Sequence, residues 1–313
     1  MGFISYAQNA EDVLLNRVFG AIDSGFYIDV GAAHPVSHSV TKAFYLRGWR
    51  GVNIEPLSQF FTALEADRPG DVNLQIGLSN RAGFARFYEV PWCTGWSTFD
   101  PETIKRYRIE GKSVIEHTVQ VMTLAHVCEH YAPQTIHFLK VDVEGHEQAV
   151  LEGANFTRWR PIVVLVEATV QGTTTPNHQG WEPILLDNDY QFAHFDGLNR
   201  YYVRAEDAAA ILPRLSYPVC AFDEFERAEH LQALQQAKAE HSEALQQVRR
   251  ELDALRCQVQ STHDELIRTQ AELRKIQGQN RFYRDVLAVT REQLEAAQSD
   301  FYKRFMGPTA LSS

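Results

Sequence analysis

The 313-residue sequence lacks the features that mark several large classes of protein. Its four cysteines are scattered without close pairs, so we predict neither a zinc site nor a disulfide framework. The 30 basic residues are outnumbered by 40 acidic ones, and the net charge of -10 argues against a non-specific nucleic-acid binder. No apolar run approaches the ~20 residues that a membrane helix needs. We therefore expect a cytoplasmic protein without a transmembrane segment, which only a partner would recruit to a membrane-bound assembly.

Two parts of the chain differ in composition. Residues 1–222 hold nearly all the glycine and proline, whereas residues 223–303 are rich in Gln, Glu, Ala, Leu and Arg. In the second part apolar residues recur in alternating steps of three and four from Leu231 to Phe301, which is the heptad pattern of a coiled coil. Six polar residues interrupt this pattern, namely Lys238, His241, Thr262, Thr269, Asn280 and Thr290. The sequence predicts a self-associating helix after the first domain, ended by Gly307 and Pro308, with a flexible tail over 304–313. The alternative is a helix that packs on its own domain.

Short apolar runs alternate with helical patterns in the first part, which predicts a doubly wound α/β sheet. The predicted parallel strands are 26–30, 51–54, 72–78, 136–141 and 162–166, and the predicted crossover helices are 40–46, 59–66, 124–130 and 147–151. An inserted hairpin strand is predicted at 83–90, and an antiparallel pair at 192–195 and 200–203 closes the domain. This order predicts the Rossmann-like class I methyltransferase fold, a seven-stranded, mostly parallel sheet with a terminal antiparallel hairpin.

A cofactor site is predicted where the first two parallel strands end. Asp29, Gly31 and Ala32 form a small-residue turn after a buried strand, and Glu55 follows the next strand, where it can accept hydrogen bonds from ribose hydroxyls. We place Gly77 at the end of the third strand in the same site. The turn lacks the G-x-G-x-x-G pattern, which disfavours a dinucleotide and favours a phosphate-free nucleoside such as S-adenosylmethionine. Alone, a glycine after a strand is more often a plain turn.

Acidic residues follow a later strand. Asp142, Glu144 and Glu147 surround a glycine at that strand's carboxyl end, which in an open α/β sheet faces the ligand crevice. Asp142 and Glu144 are candidates to orient a substrate hydroxyl, to accept its proton or to hold a divalent cation such as Mg²⁺. The alternative is that Asp142 caps the next helix and Glu147 is a solvated first-turn acid.

A polar pocket for the acceptor is predicted from later loops. Its candidate residues are Glu167, His178, Trp181, Asp196 and Asn199, a combination of aromatic, carboxylate and amide groups that suits a sugar hydroxyl array. Each of them is also an ordinary loop residue.

In this order the motifs resemble the FkbM family of methyltransferases over roughly residues 4–204. The resemblance rests on Ser5-Tyr6-Ala7-Gln8 with Glu11-Asp12, Ile28-Asp29-Val30-Gly31-Ala32, Ile54-Glu55-Pro56, Leu139-Lys140-Val141-Asp142-Val143-Glu144-Gly145 with Glu147, and Arg160-Pro161 leading to Val166-Glu167. It implies S-adenosylmethionine as cofactor, bound by Asp29, Gly31 and Glu55, with Asp142, Glu144 and Glu147 facing the active site. It also implies methylation of a hydroxyl, and the segment 195–200 looks like members found with polysaccharide biosynthesis, which favours a glycan acceptor.

Two other functions compete with an O-methyltransferase. One is a non-catalytic assembly protein, in which the Rossmann-like domain is a platform for the coiled coil. The other is an NAD-dependent or nucleotide-sugar oxidoreductase, disfavoured by the missing glycines of the dinucleotide loop. Cofactor binding separates the three.

Overall fold

The structure is a computed structural model that describes residues 2–305, and its chain divides into two compact units between Leu234 and Gln235. The helices are α1 Glu11–Phe19, α2 Lys42–Leu46, α3 Ser58–Asp67, α4 Pro101–Ile109, α5 Leu124–Tyr131, α6 Glu147–Glu152, α7 Glu182–Leu186, α8 Ala205–Leu215 and α9 Ala228–Phe305. The strands are β1 Phe3–Ser5, β2 Phe26–Val30, β3 Arg50–Ile54, β4 Val72–Leu74, β5 Gly77–Leu78, β6 Gly83–Glu89, β7 Ile115–Met122, β8 Phe138–Val141, β9 Val163–Glu167, β10 Tyr190–Phe195, β11 Asn199–Arg204 and β12 Phe225–Arg227.

A seven-stranded sheet organises the first unit. Its strand order is β10-β11-β9-β8-β2-β3-β4, with β4, β3, β2, β8 and β9 parallel and the β10-β11 hairpin antiparallel. The central strands are apolar on both faces because crossover helices cover the sheet on either side. This confirms the predicted Rossmann-like fold, including the reversed final pair.

Side chains alternate between two apolar layers along the central strands. In β2, Ile28 packs into one layer with Val52 and Leu139, while Tyr27 packs into the other with Phe138. Both layers are fully buried, so each central strand is fixed in register by its two faces. The rigid sheet therefore holds the strand ends, where the candidate site lies, in fixed positions.

A smaller sheet of order β5-β7-β6 lies beside the large one. The predicted strand 72–78 is wrong in its continuity: β4 pairs with β3, whereas β5 pairs with β7 in the smaller sheet. The predicted inserted strand is β6, which pairs antiparallel with β7, a strand that the sequence pattern did not reveal. The β6-β7 connection carries α4 and the loop that precedes it, and this loop reaches the site.

The second unit consists of the long helix α9 beyond Leu234. Its apolar heptad residues are exposed in the single chain, for example Leu245, Leu252 and Leu273. None of the helices within residues 2–305 has a stretch sufficiently long and apolar to cross a membrane. The predicted tail began at residue 304, but Arg304 and Phe305 belong to α9; its remainder, with Gly307 and Pro308, lies outside the described residues.

Candidate active site

The principal cavity opens at the carboxyl ends of β2, β3 and β8 and measures about 500 Å³. Within the sheet, β3 pairs with one edge of β2 and β8 pairs with its other edge, so the strand order reverses direction at β2. Such a switch point leaves a crevice between the diverging loops, and it is the usual ligand position in open α/β sheets. The volume lies in the range of small-molecule sites.

The turn after β2 brings backbone rather than side chain against the cavity. Gly31 has φ +78°, and its N–H donates to the Ile54 carbonyl at 3.0 Å. A Cβ at Gly31 would stand 1.8 Å from the Asp142 carbonyl oxygen. Gly31 is therefore required both by its backbone conformation and by the close approach of the two strand-end loops.

Glu55 lies at the cavity floor, just after β3. Its two carboxylate oxygens accept backbone N–H bonds from Ala33 at 2.9 Å and from Leu57 at 2.7 Å. These bonds fix the side chain and leave further lone pairs directed at the cavity. Burial raises the pKa of Glu55 to about 7, although the two backbone hydrogen bonds oppose that rise.

An apolar slot adjoins Glu55. It is lined by Leu57, Phe60, Ile76, Leu78 and Phe99, together with Gly77. A Cβ at Gly77 would meet the Phe99 ring at 2.3 Å, so a side chain at this position would displace a ring that lines the slot. An apolar slot next to a hydrogen-bonding carboxylate suits a base attached to a ribose.

Asp29, predicted to bind the cofactor, does not line the cavity. Its carboxylate is buried beneath the turn, where it accepts a hydrogen bond from Thr41 and lies 3.2 Å from Lys140 Nζ. Lys140 also donates to the Gly31 carbonyl at 2.9 Å and lies 3.4 Å from Asp142. Burial alone lowers the pKa of Lys140, but Asp29 and Asp142 outweigh it and raise that pKa. Asp29 therefore acts through Lys140, which ties the two strand-end loops together.

The acidic residues after β8 divide into two groups. Asp142 and Glu144 line the cavity, whereas Glu147 is buried and accepts N–H bonds from Val143 and Gly145 at 3.2 and 3.0 Å. Glu147 therefore holds the loop that carries the other two acids, because its carboxylate is engaged by backbone. Burial raises its pKa to about 7.

Glu144 is directed by an uncommon backbone conformation. Its φ is +56°, and Gln171 Nε2 donates to its carboxylate at 2.7 Å. Glu167, at the end of β9, lies outside the cavity lining but close to both Asp142 and Glu144. Burial first, and then the Asp142 carboxylate, raise the pKa values of Glu144 and Glu167 well above the ordinary range.

The remaining predicted acceptor residues are engaged elsewhere in the fold. Trp181 is buried in the main core, and His178 lies 3.7 Å from Glu182 on α7. Asp196 forms the turn between β10 and β11, and Asn199 donates to a buried carboxylate of α1. None of these four lines the cavity. Hairpin and core contacts engage these residues in this structure, and their role in acceptor binding stays a prediction.

An aromatic loop also lines the cavity. Residues 91–97 line the cavity opposite the strand ends, and they include Trp92 and Trp96. The Trp96 ring stacks parallel to Tyr107 of α4 at 6.3 Å, and Trp92 packs edge-on against both at 5.4 and 5.2 Å. Sequence reasoning missed this loop, although two tryptophans in a segment rich in Pro and Gly were a usable signal. His38 also lines the cavity.

Comparison with known proteins supports the class that the fold and cavity define, a Rossmann-like methyltransferase. The family model of the methyltransferase FkbM domain matches residues 29–192, more than half of the chain. The chain therefore belongs to the FkbM methyltransferase family, and it is an S-adenosylmethionine-dependent methyltransferase.

Solved structures add two similar chains. Precorrin-6y C5,15-methyltransferase from Geobacter metallireducens GS-15 is 11% identical over 63% of this chain and 88% of its own, with a TM-score of 0.30. The O-methyltransferase from Bacillus cereus in complex with SAH is 13% identical over 64% of this chain and 83% of its own, with a TM-score of 0.31. None of the curated proteins matches the chain.

Proposed function

We propose that this protein transfers a methyl group from S-adenosylmethionine to a hydroxyl of a sugar or glycan. The observation that carries the proposal is the meeting, in one cavity, of the Gly31 turn, the fixed Glu55 carboxylate and the two carboxylates of Asp142 and Glu144. A nucleoside site and a pair of acids at one strand edge are what hydroxyl methylation requires.

The residues present fit the cofactor. Glu55 would accept hydrogen bonds from the ribose hydroxyls, and the apolar slot beside Gly77 would hold the adenine. The turn at Gly31 and Ala32 offers only backbone and small side chains, so the methionine end can approach it closely. When bound, S-adenosylmethionine supplies an activated methyl group, which leaves the protein mainly to align and deprotonate the acceptor.

Asp142 and Glu144 perform that remaining work in our proposal. Both lie on the cavity wall formed by the β8 loop, where a hydroxyl entering from the Trp92 side would meet them. One carboxylate accepts the hydroxyl hydrogen bond and takes up the proton as the oxygen-carbon bond forms. The hydrogen bond from Gln171 keeps Glu144 in place for this role.

A glycan is the acceptor that the cavity wall favours. Trp92 is 39% exposed and, with Trp96, presents aromatic surface opposite the carboxylates. Sugars combine apolar C–H faces with rows of hydroxyls, so aromatic rings and carboxylates together bind both kinds of surface. The proposal assigns the acceptor wall to the 91–97 loop in place of the residues predicted from sequence.

Calorimetric titration of S-adenosylmethionine and S-adenosylhomocysteine tests the cofactor site. We expect binding to the intact protein that Glu55→Gln weakens by at least tenfold, about 1.4 kcal/mol. Glu65→Gln makes the same chemical change on the exposed side of α3 and should bind like the wild type. If the wild type binds neither ligand, the catalytic proposal is abandoned in favour of an assembly protein.

Transfer of labelled methyl groups to a panel of mono- and oligosaccharides tests the acceptor class. With an active sugar in hand, we expect Trp96→Ala to raise KM for the sugar while leaving cofactor affinity unchanged. Phe84→Ala is the control, since Phe84 is 76% exposed on β6 and lies outside the cavity. Transfer to small phenols or polyketides but to no saccharide would contradict the glycan proposal and leave the methyltransferase intact.

We also propose that the protein self-associates through α9. The seam from Leu231 to Phe301 keeps one heptad register despite six polar seam residues, and its leucines from Leu234 onward are exposed in a single chain. Burial of each Leu side chain stabilises by roughly 1.5–3 kcal/mol, so a second strand is strongly favoured over an isolated helix. Sedimentation of the intact protein as a monomer at micromolar concentration would disprove self-association.

A further inference from the structure

Three carboxylates from two strand ends converge beside the cavity with few hydrogen-bond donors. One oxygen each of Asp142, Glu144 and Glu167 lies within 4.8 Å of the others. The donors to this group are Gln171 Nε2, 2.7 Å from Glu144, and Lys140 Nζ, 3.4 Å from Asp142. Three carboxylates share these two protein partners, fewer donors than their oxygens can accept from.

Glu167 shows that the shortage is real. It is 9% exposed, and across residues 2–305 no amide, hydroxyl or cationic group donates to its carboxylate, whose hydrogen-bonding neighbour is the Asp142 carboxyl group. Its nearest charged neighbours are the carboxylates of Asp142 and Glu144, so the side chain is aimed at groups of its own charge. A buried carboxylate in such surroundings is strongly disfavoured unless a positive group completes the cluster.

We propose that Asp142, Glu144 and Glu167 bind one divalent cation. Hard cations such as Mg²⁺, Mn²⁺ and Ca²⁺ prefer carboxylate oxygens, and they tolerate open positions filled by water or substrate. Asp142 and Glu144 line the cavity while Glu167 lies behind them, so the open positions of the cation face the acceptor. The cation's role, which would be to hold the acceptor hydroxyl oxygen, rests on the proposed methyltransferase function. Binding of the cation itself does not depend on that function.

Titration of chelator-treated intact protein with MnCl₂, followed by electron paramagnetic resonance, tests the site without any cofactor. We expect one Mn²⁺ per chain, with affinity reduced at least tenfold in Glu167→Gln and in Asp142→Asn. Circular dichroism verifies folding, and two variants are used so that misfolding of one does not void the test. Glu152→Gln, an exposed acid of α6 outside the cluster, should bind like the wild type.

Two results separate this proposal from the methyltransferase proposal. Absence of Mn²⁺ binding at millimolar concentration, or equal binding by wild type and both folded variants, overturns the cation site, and the carboxylates then share protons. Mn²⁺ binding with the expected loss in the variants supports the site, even if S-adenosylmethionine does not bind.

The charges that flank the α9 seam carry a second, independent inference. Counting the heptad from Leu231 as position a, the e positions carry Arg249, Arg256, Arg284 and Arg291 and no acid, whereas the g positions carry Glu251, Glu265, Glu272 and Asp300 and no base. In a parallel, in-register pair each g residue faces the e residue five positions later in the second copy, so Glu251 meets Arg256 and no like charges meet. In an antiparallel pair e faces e and g faces g, so only like charges can meet across these positions.

We infer from this segregation that α9 pairs with a second copy of itself in parallel and in register. Asn280 at an a position would then face its own copy, an arrangement that fixes register and two-stranded pairing. Each methyltransferase domain precedes its helix, so the two domains would lie at the same end of the coiled coil. A polymeric acceptor would meet two active sites at high effective concentration.

Disulfide trapping tests the orientation. In a Cys257→Ser background, Thr290→Cys at a d position should form a covalent dimer under mild oxidation, because a parallel register places residue 290 beside its copy. Glu292→Cys, at the outward f position of the same heptad, is the control and should cross-link far less. A dimer in sedimentation without the Thr290→Cys cross-link overturns the parallel register, and a monomer overturns the pairing.

Discussion

Replacement of Gly31 by alanine tests how closely the two strand-end loops must approach. Two costs add at this position. The backbone φ of +78° lies in the left-handed region, which costs a non-glycine residue roughly 1–2 kcal/mol. The new Cβ would also stand 1.8 Å from the Asp142 carbonyl oxygen, a backbone atom that cannot rotate away. Such overpacking costs typically ~1–3 kcal/mol, so we expect Gly31→Ala to lower the free energy of unfolding by about 2–5 kcal/mol.

Gly111→Ala is a matched control for the backbone cost alone. Gly111 has φ +72°, and an added Cβ would have no neighbour within 4 Å. It should therefore lose only about 1–2 kcal/mol. The difference between the two variants isolates the contact with Asp142.

Tryptophan fluorescence during urea unfolding measures the stability of the first unit in both variants, because all five tryptophans precede residue 182. The contact also positions the cavity wall, so Gly31→Ala should lose S-adenosylhomocysteine binding by calorimetry, whereas Gly111→Ala should retain it. Equal destabilisation of the two variants, with binding unchanged, would refute the argument that close approach requires this glycine.

Three further predictions follow from buried groups. Burial raises the pKa of Glu11 to about 7, so the folded state keeps a proton that the unfolded state releases above pH 4.5, and this stabilisation is lost as pH rises through 7. Relative to Glu11→Gln, urea unfolding of the wild type should therefore show lower stability at pH 8 than at pH 6. Parallel pH profiles of the two proteins would contradict the assignment. Arg68 is fully buried against Asp71, so Arg68→Met should lower the free energy of unfolding in urea by ~3–5 kcal/mol. Arg108→Met, which breaks an exposed ion pair, should lower it by under ~1 kcal/mol. Similar losses in the two variants would be evidence against a structural role for Arg68. Gly77→Ala should weaken cofactor binding in calorimetry because its Cβ meets the Phe99 ring at 2.3 Å. Adding Phe99→Leu to this variant should restore part of the lost affinity. If the double variant shows no recovery, the proposed adenine slot lies elsewhere.

Much of the fold was predictable because local patterns agree with the tertiary structure. The runs at 26–30 and 51–54 are mostly apolar, as is typical of strands covered on both sides, and the structure has the buried strands β2 and β3 there. The short β4 and β5 are the exception, because a single apolar run cannot show that its two halves pair with different sheets.

The candidate site was predictable only where it follows strands of the large sheet. Gly31, Glu55 and Asp142 lie directly at strand ends, whose positions follow from the strand order. The aromatic part of the cavity lining was not predictable, because Trp92 and Trp96 come from a loop whose path depends on β6, β7 and α4 packing together. Asp196 and Asn199 have the composition of a binding pair, but their hydrogen bonds complete a hairpin.

The sequence by itself determined the doubly wound sheet, the strand-end turns at Gly31 and Glu55 and the heptad helix, since each is encoded by a period or by neighbours in the chain. Only the tertiary structure decided which acids face the cavity, because burial and backbone donors separate Glu147 and Asp29 from Asp142 and Glu144. It likewise brought Glu167 to within 4.8 Å of Asp142 and Glu144 from a strand more than twenty residues away. Periodicity is a property of neighbours along the chain, whereas convergence of side chains is a property of how the strands and loops pack.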